Sequence, residues 1–198
     1  MADSTESAQP AAPAAGAPSD VLMALYMGDR DKAKSLAASL TLTLPELAAF
    51  GELAHVSDFV AQYPENLHVY SPDGWTALHL AAFFGYASVV VRLLRAGAST
   101  SAVSHNNQGN TALHAALAGR CEMPVVTALL AAGSNADAVD AQSYRPLHLA
   151  ASRGDQAASE LLLACGAETS AKTSEGKTAA DIAHERGHPD LSDWLARH

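Results

Sequence analysis

Apolar and polar residues follow a repeating pattern from residue 71 to residue 198. The six-residue stretches TALHLA, TALHAA, RPLHLA and TAADIA begin at Thr76, Thr111, Arg145 and Thr178, which are 35, 34 and 33 residues apart. Each stretch is followed by paired aliphatic residues, in VVVRLL, VVTALL, ASELLL and LSDWLA. A period of this length is typical of arrays of small units, each of which buries its apolar face only by stacking on its neighbours.

Each unit is predicted to contain two helices. A threonine, whose side-chain oxygen can accept an orphan backbone N–H, stands before an alanine-rich helix. A glycine nine positions later can end that helix in the left-handed conformation, and the aliphatic pairs then form a second helix. The glycines that fit this turn are Gly85, Gly154 and Gly187. Two residues before the start of each six-residue stretch, Gly74, Gly109 and Gly176 recur, whereas Ser143 is the exception.

The second unit of the pattern contains one additional residue. Gly97 and Gly166 each stand 21 positions after the start of their units, but Gly133 stands one position further on. This shift indicates an insertion near Cys121.

The N-terminal third of the chain departs from the pattern. Residues 1–19 are rich in Ala, Pro and Ser and offer little to bury, so we expect a disordered tail. Residues 20–70 have helical periodicity but lack the TxLHxA signature, and we interpret them as divergent, truncated capping repeats. Residues 71–198 then hold about four repeats.

These motifs resemble the ankyrin-repeat family, and the resemblance covers about residues 71–198. It implies an all-α solenoid of stacked helix-turn-helix units with short hairpin-like loops. It also implies structural roles for the signature residues, in which each histidine bonds neighbouring backbone and ties a loop to a helix. Those residues are Thr76, His79, Thr111, His114, His148, Thr178, Gly85, Gly154 and Gly187. Arg145, Ser143 and Asp181 depart from the family pattern, and the last departure suits a terminal unit whose outer face meets water.

The resemblance further implies a non-catalytic protein-protein interaction module without a cofactor, acting as a regulator, stabiliser or scaffold. Partners of such proteins usually bind the concave face, which loop tips and first helices form. By position, the candidate partner-binding residues are Trp75, Phe83, Phe84, Tyr144, Arg153, Asp73, Gln108 and Asn110. Aromatic residues and arginine are typical anchors of interfaces. An equally good interpretation is that the two phenylalanines pack against the capping unit while the tryptophan shields a loop.

Composition narrows the class of partner. The chain of 198 residues has a net charge of −9 and no cluster of Lys or Arg, which disfavours nucleic acid and anionic membranes as partners.

No apolar run approaches membrane-spanning length, and no basic residue precedes Arg30, so we expect a cytoplasmic protein without a signal peptide. Its two cysteines are expected to be reduced structural thiols. We expect a monomer, although a self-associating structural protein is an alternative.

One motif raises an enzymatic alternative. His184-Glu185-Arg186-Gly187-His188 fits the HExxH pattern of zinc peptidases, in which two histidines lie one helical turn apart. In the repeat register, however, Gly187 belongs to the turn between helices, and Pro189 suits the first turn of a new helix. No third ligand is evident among the ten residues after His188. We therefore expect no metal site and no catalytic residues, with a zinc-dependent hydrolase as the alternative.

Overall fold

A computed structural model describes residues 16–120 and 122–198. These residues form twelve α-helices and one short 3-10 helix, Pro64–His68. The α-helices are α1 Asp20–Tyr26, α2 Arg30–Ala37, α3 Leu44–Phe50, α4 Leu53–Gln62, α5 Ala77–Phe83, α6 Ala87–Arg95, α7 Ala112–Ala118, α8 Met123–Ala131, α9 Pro146–Arg153, α10 Gln156–Ala164, α11 Ala179–Glu185 and α12 Pro189–Leu195. Most of the predicted tail at residues 1–19 lies outside the described residues.

Consecutive helices pair into antiparallel units, and the units stack. The first helices α3, α5, α7 and α9 each contact the next first helix, up to α11, while the second helices α4, α6, α8 and α10 form a row behind them. A single isolated antiparallel bridge joins Tyr70 and Thr76 in the loop before α5. The predicted all-α solenoid of helix-turn-helix units is therefore confirmed.

Two apolar cores hold the stack together. The larger runs through the units from α3 to α12 and contains fully buried residues such as Leu113 and Val126. The smaller lies at the N-terminal end, where Leu22 of α1 packs with Phe50 of α3 and with Leu80 and Phe84 of α5. The helix pair α1 and α2 therefore covers one end of the stack, where the first helices would otherwise expose apolar surface.

A ladder of buried histidines connects successive units. The Nε2 atom of His79 donates to the carbonyl oxygen of Asn110 at 2.9 Å, and that of His114 donates to the carbonyl oxygen of Tyr144 at 3.2 Å. The other ring nitrogen of each faces the threonine that caps its own helix, at 2.7 Å from Thr76 Oγ1 in the case of His79. Each histidine therefore fixes the loop of the next unit, the role that the family resemblance implies.

The last unit replaces this histidine by a carboxylate. Asp181 Oδ2 accepts from the backbone N–H of Thr178 at 2.9 Å and from its hydroxyl at 2.7 Å. These hydrogen bonds lower the pKa of Asp181, because they stabilise the ionised form. No further unit follows among the described residues, so Asp181 caps its own helix without reaching a neighbouring loop.

Ser143 adopts the backbone conformation that glycine has in the other loops. Its φ is 62°, close to the 61° of Gly109, and it is the one non-glycine residue with positive φ in the described part of the chain. A left-handed conformation costs a residue with a side chain about 1–2 kcal/mol. Since glycine also loses more entropy on folding, we expect Ser143→Gly to stabilise the protein by about 0.5–1 kcal/mol.

Urea denaturation followed by circular dichroism measures this difference. Ser174→Gly is the matched control, because Ser174 lies in the corresponding loop of the next unit with negative φ. We expect that control to lower stability slightly. A destabilised Ser143→Gly variant would contradict the explanation.

Candidate functional site

Two positions in each unit decide the shape of the face formed by the loop tips and the first helices. The first position directly precedes the helix-capping residue, and the second lies near the end of the first helix. In the units that begin with α5, α7, α9 and α11, the first position holds Trp75, Asn110, Tyr144 and Lys177, and the second holds Phe83, Ala118, Ser152 and Glu185. Both side chains are therefore aromatic in the first of these units and small in the second. In the third unit only the first position is aromatic, and in the last unit both side chains are charged.

An aromatic cluster forms the N-terminal part of this face. The ring of Trp75 meets that of Phe83 edge to face at 5.7 Å, and Phe83 meets Tyr26 of α1 in the same way at 5.9 Å. All three side chains are half-buried. They border a cavity of about 450 Å³ that we call the mouth, whose lining residues are Gly16, Tyr26, Asp73, Trp75, Phe83, Asn106, Asn107 and Gln108.

A second cavity, the notch, continues from the mouth across the units of α7 and α9. It has a volume of about 360 Å³ and is lined by Trp75, Phe83, Gln108, Asn110, Ala118, Asp140, Gln142, Tyr144 and Leu149. Its floor lies where Asn110 and Ala118 replace the aromatic pair of the preceding unit. The notch therefore exists because two small side chains lie between the Trp75–Phe83 wall and Tyr144. We call the mouth and the notch together the groove.

The floor of the notch contains an unpaired polar atom. Asn110 is 7% exposed, and its Nδ2 donates to Gln108 Oε1 at 3.1 Å. Its Oδ1 has no hydrogen-bond partner among the described residues. A buried acceptor without a partner costs about 1–3 kcal/mol, so the floor of the notch contains an unsatisfied polar group.

Backbone hydrogen bonds hold the loop tips in register. The N–H of His105 donates to the carbonyl of Gly74 at 2.8 Å, and the N–H of Ala141 donates to that of Gln108 at 2.9 Å. Within one loop, Asp140 Oδ1 accepts from the backbone N–H of Gln142 and from that of Tyr144, at 2.8 and 2.7 Å. Trp75 and Tyr144 thus project from loops that are tied to their neighbours, whereas Phe83 projects from the end of α5.

Two carboxylates border the groove. Asp73 Oδ2 accepts from the hydroxyl of Tyr26 at 2.7 Å, and Asp73 Oδ1 accepts from Ser71. Burial, followed by the contact with Asp73, raises the pKa of Tyr26, so its hydroxyl stays protonated and donates at neutral pH. The other carboxylate is Asp140, which lines the notch. The groove therefore combines aromatic walls with acidic and amide groups.

The structure brings most of the predicted partner-binding residues together. Trp75, Phe83, Gln108, Asn110 and Tyr144 line the notch, and Asp73 joins the first three at the mouth.

Phe84 and Arg153 lie elsewhere. Phe84 is 8% exposed and belongs to the N-terminal core, where its ring stacks on Tyr26 at 5.7 Å. The prediction that Phe84 contacts a partner is therefore corrected. Its side chain packs against the capping unit, as the alternative interpretation expected. Arg153 is exposed but lines neither cavity, and its Nη1 donates to the carbonyl of Gly119 at 2.9 Å.

Sequence reasoning missed several residues of the groove. Tyr26 was not expected there because it belongs to α1, which has no counterpart in the repeat pattern. Asn110 was among the predicted residues, but its place in the floor beside Ala118 was not expected. Both residues form the floor because they are small, and their size has meaning only beside the larger residues at the same position of other units. Comparison of each position along the repeats could have revealed that difference.

The HExxH residues do not share one helix. α11 ends at Glu185, Gly187 has φ of 83°, and α12 begins at Pro189, so His184 and His188 lie on opposite sides of a turn. The ring of His188 packs over Gly154 in the preceding unit. Among residues 16–120 and 122–198, no group of three or more His, Cys, Asp or Glu side chains is placed to hold a metal ion.

The helices themselves are short. The longest, α4, has 10 residues, and in the described part of the chain no helix combines the length and apolar character needed to cross a membrane.

Comparisons with known proteins agree with the repeat architecture. A family model of ankyrin repeats in three copies matches residues 46–124 and 117–198. The chain is 39% identical over 94 residues to the RelA-associated inhibitor of Mus musculus, which covers 46% of this chain and 11% of that protein. It is 32% identical over 142 residues to neurogenic locus notch homolog protein 1 of Xenopus tropicalis, covering 72% of this chain and 6% of that protein. It is 35% identical over 126 residues to ankyrin repeat and SOCS box protein 16 of Mus musculus, covering 60% of this chain and 27% of that protein. The matched segments thus span a small part of each relative.

Proposed function

The chain belongs to the ankyrin-repeat family, and from this premise we propose that it is a non-catalytic interaction module that binds another protein in the groove. The partner would lie across the loop tips and first helices, with its main anchor in the notch. One similar protein is named as an inhibitor associated with RelA, which describes action on another protein. The proposal includes regulation, stabilisation and scaffolding as possible consequences of binding.

The notch is the observation that supports this proposal most strongly. Small residues at Asn110 and Ala118 leave a recess beside Trp75, Phe83 and Tyr144, whereas an aromatic pair or a charged pair occupies the same two positions in other units. Tryptophan and tyrosine are frequent energetic anchors, and anchors act best around desolvated pockets. A recess of this volume is in the range of known binding pockets.

The chemistry of the notch indicates what it would accept. The aromatic walls of the notch favour an apolar side chain of the partner. Asp140 and Asp73 at the rim disfavour an acidic segment. We therefore expect an extended, neutral or basic segment with one apolar anchor.

Filling the notch is expected to abolish binding. Ala118 is exposed at the C-terminal end of α7, where arginine is compatible with the helix and with its dipole. Ala118→Arg should therefore leave the fold intact and occupy the recess. We expect the affinity for a partner to fall at least about tenfold, which corresponds to about 1.4 kcal/mol.

Thr127→Arg is the matched control, because Thr127 is also an exposed helical residue of the same unit but lies on the second helix, α8. Proteins captured by the wild type would be identified by mass spectrometry, purified, and titrated against the three chains by calorimetry. The proposal requires a partner that binds the wild type and the Thr127→Arg chain equally and the Ala118→Arg chain weakly. Equal affinity for all three chains would reject the notch as the binding site.

A further inference from the structure

Asp140 brings a carboxylate with an unpaired oxygen to the notch. Its side chain is half-buried and lines this cavity. The Oδ1 atom accepts from the backbone N–H of Gln142 and from that of Tyr144, whereas no group among the described residues donates to Oδ2. Unlike the Oδ1 atom of Asn110, this oxygen is not buried. One oxygen of Asp140 thus holds the loop, and the other can accept from a ligand.

The loop itself does not require a negative charge at this place. In the other three units, a neutral hydroxyl accepts from the backbone N–H of the residue at the first position of the face. These hydroxyls are Ser71 Oγ, Ser104 Oγ and Thr173 Oγ1, at 3.1, 2.9 and 3.4 Å. In the unit of α9, the carboxylate of Asp140 holds the corresponding N–H of Tyr144 at 2.7 Å. Its charge is therefore additional to what the turn needs.

The neighbouring basic residues are paired with other carboxylates. Arg145 Nη1 pairs with Asp137, and Lys177 Nζ pairs with Glu185 at 2.7 Å. The residues that line the mouth and the notch include no lysine and no arginine. In the described part of the chain, Asp140 therefore forms no ion pair.

The neighbouring imidazoles do not compensate this charge either. Burial lowers the pKa of His114 and of His148, and this effect exceeds the opposite effect of the nearby Asp140 carboxylate. Both rings are therefore neutral at pH 7 and offer no positive charge to the notch.

Tyr144 places an aromatic ring beside the carboxylate. Its half-buried side chain lines the same cavity, and its backbone N–H is bound by Asp140. An aromatic ring next to a carboxylate suits a guanidinium group, which stacks on rings and donates to anions. Because a guanidinium is more weakly hydrated than an ammonium group, a half-buried site of this kind favours arginine over lysine.

We propose that the notch binds an arginine side chain of the partner, whose guanidinium donates to Asp140 Oδ2 and lies against the ring of Tyr144. The inference rests on the groove proposed above as the partner-binding surface, and it specifies the basic residue of that partner. The apolar anchor would lie on the other side of the floor, against the Trp75–Phe83 wall.

Asp73 at the mouth does not offer an equivalent site. Its Oδ2 atom accepts from the hydroxyl of Tyr26, and its Oδ1 atom accepts from Ser71, so both oxygens already have donors. The arginine is therefore assigned to the notch rather than to the mouth.

Titration of the full chain with a blocked arginine, N-acetyl-arginine methylamide, tests the proposal by NMR. The backbone N–H signals of Gln142 and Tyr144 report on the site, because both groups donate to Asp140. The corresponding blocked citrulline is the matched ligand, since it has a similar length and shape but no charge. We expect the blocked arginine to bind about tenfold more tightly, because its hydrogen bonds to the carboxylate are charge-assisted.

Three variants locate the interaction. Asp140→Asn removes the charge but keeps an oxygen for the two backbone N–H groups, so it should abolish the preference for the blocked arginine. Glu175→Gln is the charge-matched control, because Glu175 lies in the exposed loop of the next unit and lines neither cavity, and it should keep the preference. Ala118→Arg fills the notch and should abolish binding of both ligands.

Equal affinity of the wild type for the two ligands, or no shift with either, would overturn the proposal. A preference that persists in the Asp140→Asn chain would also overturn it, and equal binding of a blocked lysine would overturn the assignment to arginine. If the preference is absent while Ala118→Arg weakens binding of a captured partner, the arginine site fails and the proposed function stands. If the preference is present while Ala118→Arg leaves the partner affinity unchanged, the proposed function alone fails.

Discussion

Gly119→Ala is expected to lower the free energy of unfolding by about 3 kcal/mol, a large effect for one methyl group. A Cβ atom at this position would lie 2.0 Å from the carbonyl oxygen of Phe83 and 2.7 Å from its carbonyl carbon. Both neighbours are backbone atoms at the end of α5, so no side-chain rotation can make room. The contact is close because the N–H of Arg120 donates to the same carbonyl oxygen at 3.0 Å.

The consequences would extend to the groove. The carbonyl of Gly119 accepts from Arg153 Nη1, so this residue connects its unit to both of its neighbours. Displacement of the Phe83 backbone would also move one wall of the notch. We therefore expect loss of partner binding together with loss of stability.

Urea denaturation of the variant and of a second glycine variant separates packing from backbone conformation. Gly133→Ala is the control, since Gly133 has φ of 87° but no atom within 4 Å of the added methyl group. It should cost about 1 kcal/mol, from the left-handed conformation alone. Equal losses of stability in the two variants would show that the close approach of the Phe83 carbonyl to Gly119 does not add to the cost of the substitution.

Acidification from pH 7 to pH 4 is expected to destabilise the fold strongly, through the histidine ladder. Burial is the largest cause that lowers the pKa of His79, from 6.5 to about 4. Burial likewise lowers the pKa of His114 and of His148. Each ring remains neutral in the folded chain at a pH where the unfolded chain already binds the proton.

The direction of the effect follows from this difference in protonation. Above pH 6.5 both states are neutral, and the full stability is present. As the pH falls toward 4, the unfolded state gains protons that the folded state does not, so the free energy of unfolding decreases. The shift of His79 alone corresponds to about 3 kcal/mol at 1.36 kcal/mol for each pH unit.

Denaturation curves collected at several pH values measure this loss. His79→Gln is the comparison chain, because it removes one titrating ring from the ladder. We expect it to be less stable than the wild type at pH 7 but to lose less stability between pH 6.5 and pH 4. The lowered pKa of Asp181 acts below its ordinary value of 3.8, outside this window. An identical slope in both chains would show that His79 does not govern the acid response.

The repeat pattern predicted the parts of the fold that depend on local chemistry. A capping threonine, a glycine at the turn and paired aliphatic residues recur in phase, and each specifies its helix without help from distant residues. The HExxH motif at residues 184–188 suggested a metal site. The repeat register instead identified Gly187 as part of a turn between two helices. Positions such as His79 and His114 could be interpreted because several copies of the same unit appear in one chain.

The parts that sequence reasoning missed depend on contacts without a period. Phe83 and Phe84 are adjacent, yet one lines the groove and the other enters the N-terminal core, because α1 packs beside α5 in a way that no other unit repeats. Gly119 is required by a close approach in the unit that contains the additional residue near position 121. The pattern located that insertion, but it could not show that a neighbouring carbonyl fills the space.

Photo-crosslinking of a bound partner tests the central claim most directly. A benzophenone amino acid placed at Gln142 would lie in an exposed loop at the edge of the notch without filling its floor, and the same group placed at Thr127 would lie on the second helix, α8. Binding in the groove predicts a covalent adduct with the partner from position 142 and none from position 127. An adduct from position 127 alone would place the partner on the opposite side of the unit and contradict the proposed function.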